Sequence, residues 1–223
     1  MTQRIVAVTA GLSVPSSTRL LTDRIVSATR ELASARGDQV QVGRGHELQI
    51  DVVELRDLAQ DIAAHLVTRF PSDGLAQVLE DVSTADGLIV VTPTFAGSYS
   101  GLFKSFFDLV EPTALAGTPV LLAATGGTAR HSLMLDHAMR PLFAYLQAEP
   151  LATGVFAATD DFADPGLGRR IERAARQLVA AVGPNSRTIY PTAASEAVPA
   201  RQDAGRDDLG PVPDFRDLLF GKV

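Results

Sequence analysis

The chain reads as an α/β domain on one doubly wound, five-stranded parallel sheet with helices on both faces. Three observations predict this. Strand-like apolar runs alternate with stretches of helical spacing from Arg4 to Val182. The run Gly87-Leu88-Ile89-Val90-Val91 is apolar throughout, as a buried parallel strand should be. Loops rich in glycine and small polar residues follow the strand candidates, where an open α/β sheet puts its ligand.

The first strand spans Arg4–Ala10 and is apolar at its centre. A helix over Thr18–Ala35 follows, with Leu21, Ile25, Ala28 and Leu32 on one side. The polar segment Gly37–Gly45 is expected as a surface excursion. His46–Leu55 is the second strand, with Leu48, Ile50 and Val52 alternating before a phase change at Leu55. Leu58–Leu66 forms a short helix, and Asp73–Ala85 a clearer one with Leu75, Val78, Leu79 and Val82 in phase. Leu88–Val91 is the third strand and Phe103–Val110 the next helix. Val120–Ala124, opened by Pro119, is the fourth strand. Leu133–Leu146 is a helix that Pro141 should kink or break. Leu151–Ala158 is the fifth strand and Leu167–Val182 the last amphipathic helix. Five such strands suit the flavodoxin-like order 2-1-3-4-5, which seats ligands beside strands one and three.

The 223 residues suffice for one sizeable core. Hydrophobic residues make up 46% and charged residues 21%, the balance of a globular domain. A net charge of −6 and a pI near 5.2 argue against nucleic acid or an anionic membrane as partner. With no cysteine, disulfides and thiolate chemistry are excluded. No apolar run has the length of a membrane span, and the start lacks the pattern of a signal peptide, so a cytoplasmic location is expected. Residues 1–190 are read as the domain and 191–223 as an extended, Pro-rich tail. The tail carries Phe215, Leu218, Leu219 and Phe220, which suits docking on its own domain or a sister subunit. Recognition of another protein is the sharper alternative.

Three loops carry the candidate chemistry. The first, Ala10–Arg19, gathers Ser13, Ser16, Ser17 and Thr18 at a helix start, where free N–H groups and the dipole favour phosphate. The plainer alternative is that Ser17 or Thr18 only caps the helix. The loop is neither a Walker A sequence nor a GxGxxG turn. The second loop runs from Thr92 to Gly101. Pro93, Thr94, Phe95, Ala96, Gly97, Ser98 and Tyr99 could wall and edge a planar ring, although Phe95 and Tyr99 could equally be core aromatics. The third, Ala124–His131, offers backbone donors at Thr125, Gly126, Gly127 and Thr128, with His131 as a possible contact. Lys104 reads as a solvated helix lysine. No metal-ligand spacing, acid–base pair or catalytic triad is legible.

Taken together, these residues resemble the NAD(P)H-dependent FMN reductases of flavodoxin-like fold, and most closely the reductase components of two-component flavin-dependent monooxygenases. The likeness rests on Thr92-Pro93-Thr94-Phe95 with Tyr99-Ser100-Gly101-Leu102-Phe103-Lys104, and on Ala124-Thr125-Gly126-Gly127-Thr128 with His131 and Asp136–Leu142. It spans most of residues 4–182. It implies that Ser13, Ser16, Ser17 and Thr18 hold the FMN phosphate. It implies that Pro93–Ser98 border the isoalloxazine ring, with Tyr99 nearby, and that Thr125–Thr128 lie along the ring's other edge.

The chain departs from the family in two places. Its phosphate loop lacks the arginine many members carry, and Phe95 stands where tyrosine is common. NADPH or NADH would deliver a hydride from nicotinamide C4 to FMN N5, a step that asks the protein for orientation rather than for an acid or base. Backbone N–H groups around Gly126 and Gly127 would steady the charge on the reduced ring. A monooxygenase partner and a homodimer or homotetramer are further implications. An FMN-containing quinone or azo reductase, or a flavodoxin-like electron carrier, are the alternatives.

Overall fold

A computed structural model describes residues 3–39 and 48–182. Strand β1 (Gln3–Thr9) is an interior strand next to one edge of the sheet. It pairs in parallel with β2 (Leu48–Glu54) on one side, Ile5 opposite Ile50, and with β3 (Gly87–Phe95) on the other, Ile5 opposite Gly87. Strand β3 also pairs in parallel with β5 (Pro119–Gly126), Leu88 opposite Val120. The chain therefore moves one way from β1 to β2 and the other way from β3 to β5, which puts a topological switch between β1 and β3.

Strand parity explains the double winding, since successive side chains point to opposite faces. Val6, Val8, Leu88, Val90 and Leu122 are buried on one face with Phe103, Phe107 and Phe143. Ile5, Ala7, Ile89, Val91 and Leu121 are buried on the other. That second face is covered by α1 (Ser17–Gln39) through Leu21 and Ile25, and by α6 (Pro165–Ala181) through Leu167, Ile171 and Leu178. The first face takes α2 (Ala59–Thr68), α3 (Asp73–Thr84), α4 (Gly101–Phe107) and α5 (Arg140–Tyr145). At the amino end of β1, the Arg4 guanidinium donates to Asp51 at 2.9 Å and to Asp81 at 2.8 Å.

The parallel core is the expected one, but the sheet has seven strands rather than five. Two differences account for the number. The segment expected as one fifth strand is two pieces, β6 (Glu149–Pro150) and β7 (Val155–Ala158), both parallel to β5. The other addition falls in the stretch expected as a loop. Strand β3 runs on through Pro93 and Thr94 to Phe95, turns at Ala96-Gly97, and returns as β4 (Ser98–Tyr99). Both turn residues have positive φ, 49° at Ala96 and 81° at Gly97, which suits the right-handed twist of a tight hairpin.

Near Pro141, where a kink or break is expected, the helix changes type without interruption. A turn of π-helix (Leu135–Met139) precedes α5, and the proline sits in the first turn of α5, where its missing N–H costs nothing. Helix α1 runs on to Gln39, into the segment expected as an excursion. The rest of that excursion, and the tail 191–223, lie outside the described residues. Among the described residues no helix is long and apolar enough to cross a membrane.

Candidate functional site

All three predicted loops leave the carboxyl ends of adjoining strands. The first follows β1, the hairpin continues β3, and the third follows β5. The first loop is shaped by Gly11 and Ser16. Gly11 is buried, and a Cβ there would overlap the Ser16 hydroxyl, so only glycine lets that side chain fold beneath the loop. Ser16 is then the helix cap. Its Oγ accepts from Arg19 N at 3.2 Å and its carbonyl from Leu20 N at 3.0 Å. The N–H groups of Ser17 and Thr18 remain at the helix mouth. Ser13 and Ser17 are exposed.

Thr18 has a different place. It is buried, and its Oγ1 lies 2.8 Å from Oγ1 of Thr125, also buried, at the end of β5. This contact ties the start of α1 directly to the third loop. A hydroxyl read as a phosphate donor is thus committed to a protein partner. Thr9, just before the loop, is 1% exposed, and its Oγ1 has no hydrogen-bond partner.

The hairpin is held back onto the sheet by Thr92, whose Oγ1 accepts from Ser100 N at 3.0 Å. Ser100 in turn caps α4, accepting from Phe103 N at 3.2 Å. The arrangement leaves Phe95 half in solvent, at 48% exposure, and Ala96 and Gly97 exposed at the tip. Tyr99 points back to the body, its ring 5.8 Å from that of Phe103. The Thr94 Oγ1 is buried and has no hydrogen-bond partner.

Gly126 adjoins that oxygen. A Cβ there would sit 3.5 Å from Thr94 Oγ1 and only 2.8 Å from Cζ of Phe156. Glycine lets β5 and β7 close up and leaves the hairpin and the third loop face to face. Gly127, Thr128 and His131 are exposed, His131 closing a short 3₁₀ turn (Ala129–His131). Lys104 pairs with Asp108 one turn along α4 rather than facing the loops.

Two of the charged residues at the first loop, Glu54 and Arg56, were not legible from the loop's own sequence. Arg56, from the 3₁₀ turn after β2 (Leu55–Leu58), donates from Nη1 to the Ser13 carbonyl at 3.3 Å. Its Nη2 pairs with Glu54 Oε2 at 2.9 Å, and the other oxygen of Glu54 accepts from Arg19. Arg19 also pairs with Asp23 at 2.8 Å, and these acids hold its guanidinium above its ordinary pKa, Asp23 first. The acid–base run Glu54-Leu55-Arg56-Asp57, at a strand end beside the switch point, was the available signal.

A separate cavity of about 600 Å³ lies between α2, α4 and α5, lined by His65, Arg69, Phe107 and Tyr145 among others, and by none of the loop residues above. Among the described residues no group of three His, Asp or Glu side chains could hold a metal ion.

The chain is similar to known proteins. Residues 3–163 match the family model described as NADPH-dependent FMN reductase. A Pseudomonas aeruginosa protein named FMN reductase (NADPH) is 41% identical over 159 residues, covering 71% of this chain and 78% of its own. From Pseudomonas putida, the NADH-dependent FMN reductase SfnE is 40% identical over 184 residues, covering 80% and 92%. An oxidoreductase from Corynebacterium diphtheriae, solved by X-ray, is 42% identical and superposes with a TM-score of 0.75 over 81% of this chain and 97% of that one. The sheet is of the flavodoxin-like type.

Proposed function

The chain belongs to the NADPH-dependent FMN reductase family, and on that premise we propose that it reduces FMN with NAD(P)H at the three loops and hands the reduced flavin to a partner monooxygenase. The observation that carries this reading is the meeting of the loops at the switch point, braced by the Thr18–Thr125 contact.

The residues present fit FMN. The Ser17 and Thr18 N–H groups, with the exposed hydroxyls of Ser13 and Ser17, suit a phosphate at the mouth of α1. The exposed ring of Phe95 and the strand carrying Pro93 and Thr94 supply an apolar wall with a buried, unpartnered oxygen. Gly126, Gly127 and Thr128 bring backbone donors to the opposite side. Those N–H groups are fixed before any charge arrives, so they stabilise it without reorganising. FMN held by these residues would supply a hydride acceptor at N5 for the reduced nicotinamide.

The chain's own task is placement. The hairpin and the third loop hold the ring plane, and the first loop anchors its phosphate tail. No side chain is assigned as acid or base, because hydride transfer moves no proton through the protein. NADH and NADPH are both hydride donors in this proposal, since relatives named for each match this chain. The assembly in this proposal is a homodimer or homotetramer, which light scattering on the full chain tests.

The deciding experiment follows the absorbance of NADH and NADPH under air, with and without added FMN. Oxidation that requires FMN and saturates with it supports the reductase. Oxidation driven by a quinone but indifferent to added FMN moves the reading to a quinone reductase with resident flavin. No oxidation with either nicotinamide overturns the enzyme altogether.

A further inference from the structure

Two guanidinium groups stand at the first loop, Arg19 at its end and Arg56 from the turn after β2. Arg56 reaches the loop across more than forty positions of sequence, touching the Ser13 carbonyl at 3.3 Å. Arg19 stands in the first turn of α1. One carboxylate, Glu54, binds both, with one oxygen on each. Strand register explains its position: Glu54 lies opposite Thr9, the last residue of β1 before the loop. Thr9 is itself buried, with a hydroxyl that no protein group satisfies.

The charge balance of this cluster is unusual for an anion site. Against two guanidinium groups stand three carboxylates, Asp23, Glu54 and Asp57, the last 3.5 Å from Arg56 Nε. A phosphate at the loop therefore meets cations that are already matched. It gains from them only by drawing one or both away from Glu54. Glu54 is the least exposed member, with a side chain 18% exposed against 37% for Arg19 and 28% for Arg56. The arginines are the more exposed partners of Glu54.

We propose that Arg19 and Arg56 form the phosphate-recognition pair for FMN, and that Glu54 competes with the phosphate for both. The inference rests on the flavin reading above and adds to it a physical cause for loose binding. A site whose cations are held by an internal carboxylate discriminates phosphorylated from unphosphorylated flavin only modestly. It also releases FMN readily, as a donor of reduced flavin must.

The test compares FMN with riboflavin, which has the same ring and no phosphate. Dissociation constants are measured by flavin fluorescence on the full chain for the native protein, R56M and E54Q. Thermal melts by circular dichroism confirm that each is folded. The expected result is an FMN constant about tenfold higher in R56M and about fivefold lower in E54Q, with riboflavin moving by less than about twofold in both. Equal effects on the two flavins would overturn the proposal, as would weaker FMN binding in E54Q, which would make Glu54 a bracket and not a competitor. Should R56M fail to fold, the sign of the E54Q effect decides alone. If the native protein binds neither flavin, the flavin reading of the site falls, a result distinct from any failure of the arginine pair.

Discussion

Replacing Thr18 by valine keeps the shape of the side chain and removes one hydroxyl. The structure sets the consequence. Thr18 is 2% exposed and Thr125 is 4% exposed, and their oxygens lie 2.8 Å apart. The substitution leaves the Thr125 hydroxyl in a dry place without its partner, a loss of about 1–3 kcal/mol. The mirror substitution, Thr125→Val, should cost the same for the same reason. The double variant removes both polar groups and fills the gap with methyls, so it should cost far less than the sum. A coupling of about 1–2 kcal/mol is expected from the cycle.

The assay is urea unfolding of the four proteins, with melting temperatures as a check. Each single variant should melt about 2–12 °C lower, at about 2–4 °C per kcal/mol for a domain of this size. If the proposed site holds, FMN affinity should fall in the single variants too, because the contact joins the first loop to the third. Additive losses, or single variants within about 0.5 kcal/mol of native, would refute the claim that this pair braces the site.

Other outcomes follow from the same geometry. Ala96 holds a φ of 49°, which costs an L-residue about 1 kcal/mol, so Ala96→Gly should stabilise the hairpin by up to about that much in denaturant titration. A Cβ at Gly126 would press on Phe156 at 2.8 Å, so Gly126→Ala should destabilise by about 1–3 kcal/mol, and Phe156→Leu in the same chain should recover part of the loss.

Acid should weaken the fold through Arg4. The Asp81 carboxyl is held below its usual range by the Arg4 hydrogen bond, and that of Asp51 by Gln49 and then Arg4. Lowered carboxylate pKa values contribute stability that is present above about pH 4 and lost as pH falls through the folded values. Unfolding free energy measured from about pH 5 to pH 2 should fall less steeply in Arg4→Met than in the native chain. The difference should be modest, because the pairs are partly solvated.

Sequence pattern carried the sheet further than it carried the site. Period and parity are local, so Ile5, Ala7, Val6 and Val8 disclosed their faces, and the parallel core followed. The hairpin was hidden for two reasons. Pro93 argues against a continuing strand, and Ala-Gly lacks the asparagine or aspartate that usually announces a tight turn. Pro93 still pairs opposite Thr125 in the parallel ladder with β5. The split between β6 and β7 was equally silent, because nothing in Leu151–Gly154 is a strong breaker except the glycine at its end. Arg56 and Glu54 could not be placed at the phosphate loop from sequence, since only the pairing of β2 with β1 brings them there. The Thr18–Thr125 contact spans 107 positions and is invisible to any local pattern.

The loops of the site rise from β1, β3 and β5, the most enclosed strands of the sheet, where Val8, Val90 and Ala123 are 0% exposed. Amide protons in those strands can meet solvent only when the whole domain opens, so they should be among the slowest to exchange with deuterium. The Ala96-Gly97 tip, a few residues away, can exchange by opening alone. In the proposed site a flavin arriving from water would land on a floor as durable as the fold itself, beside an exposed hairpin tip. Its coming and going can be fast without any loosening of the scaffold beneath.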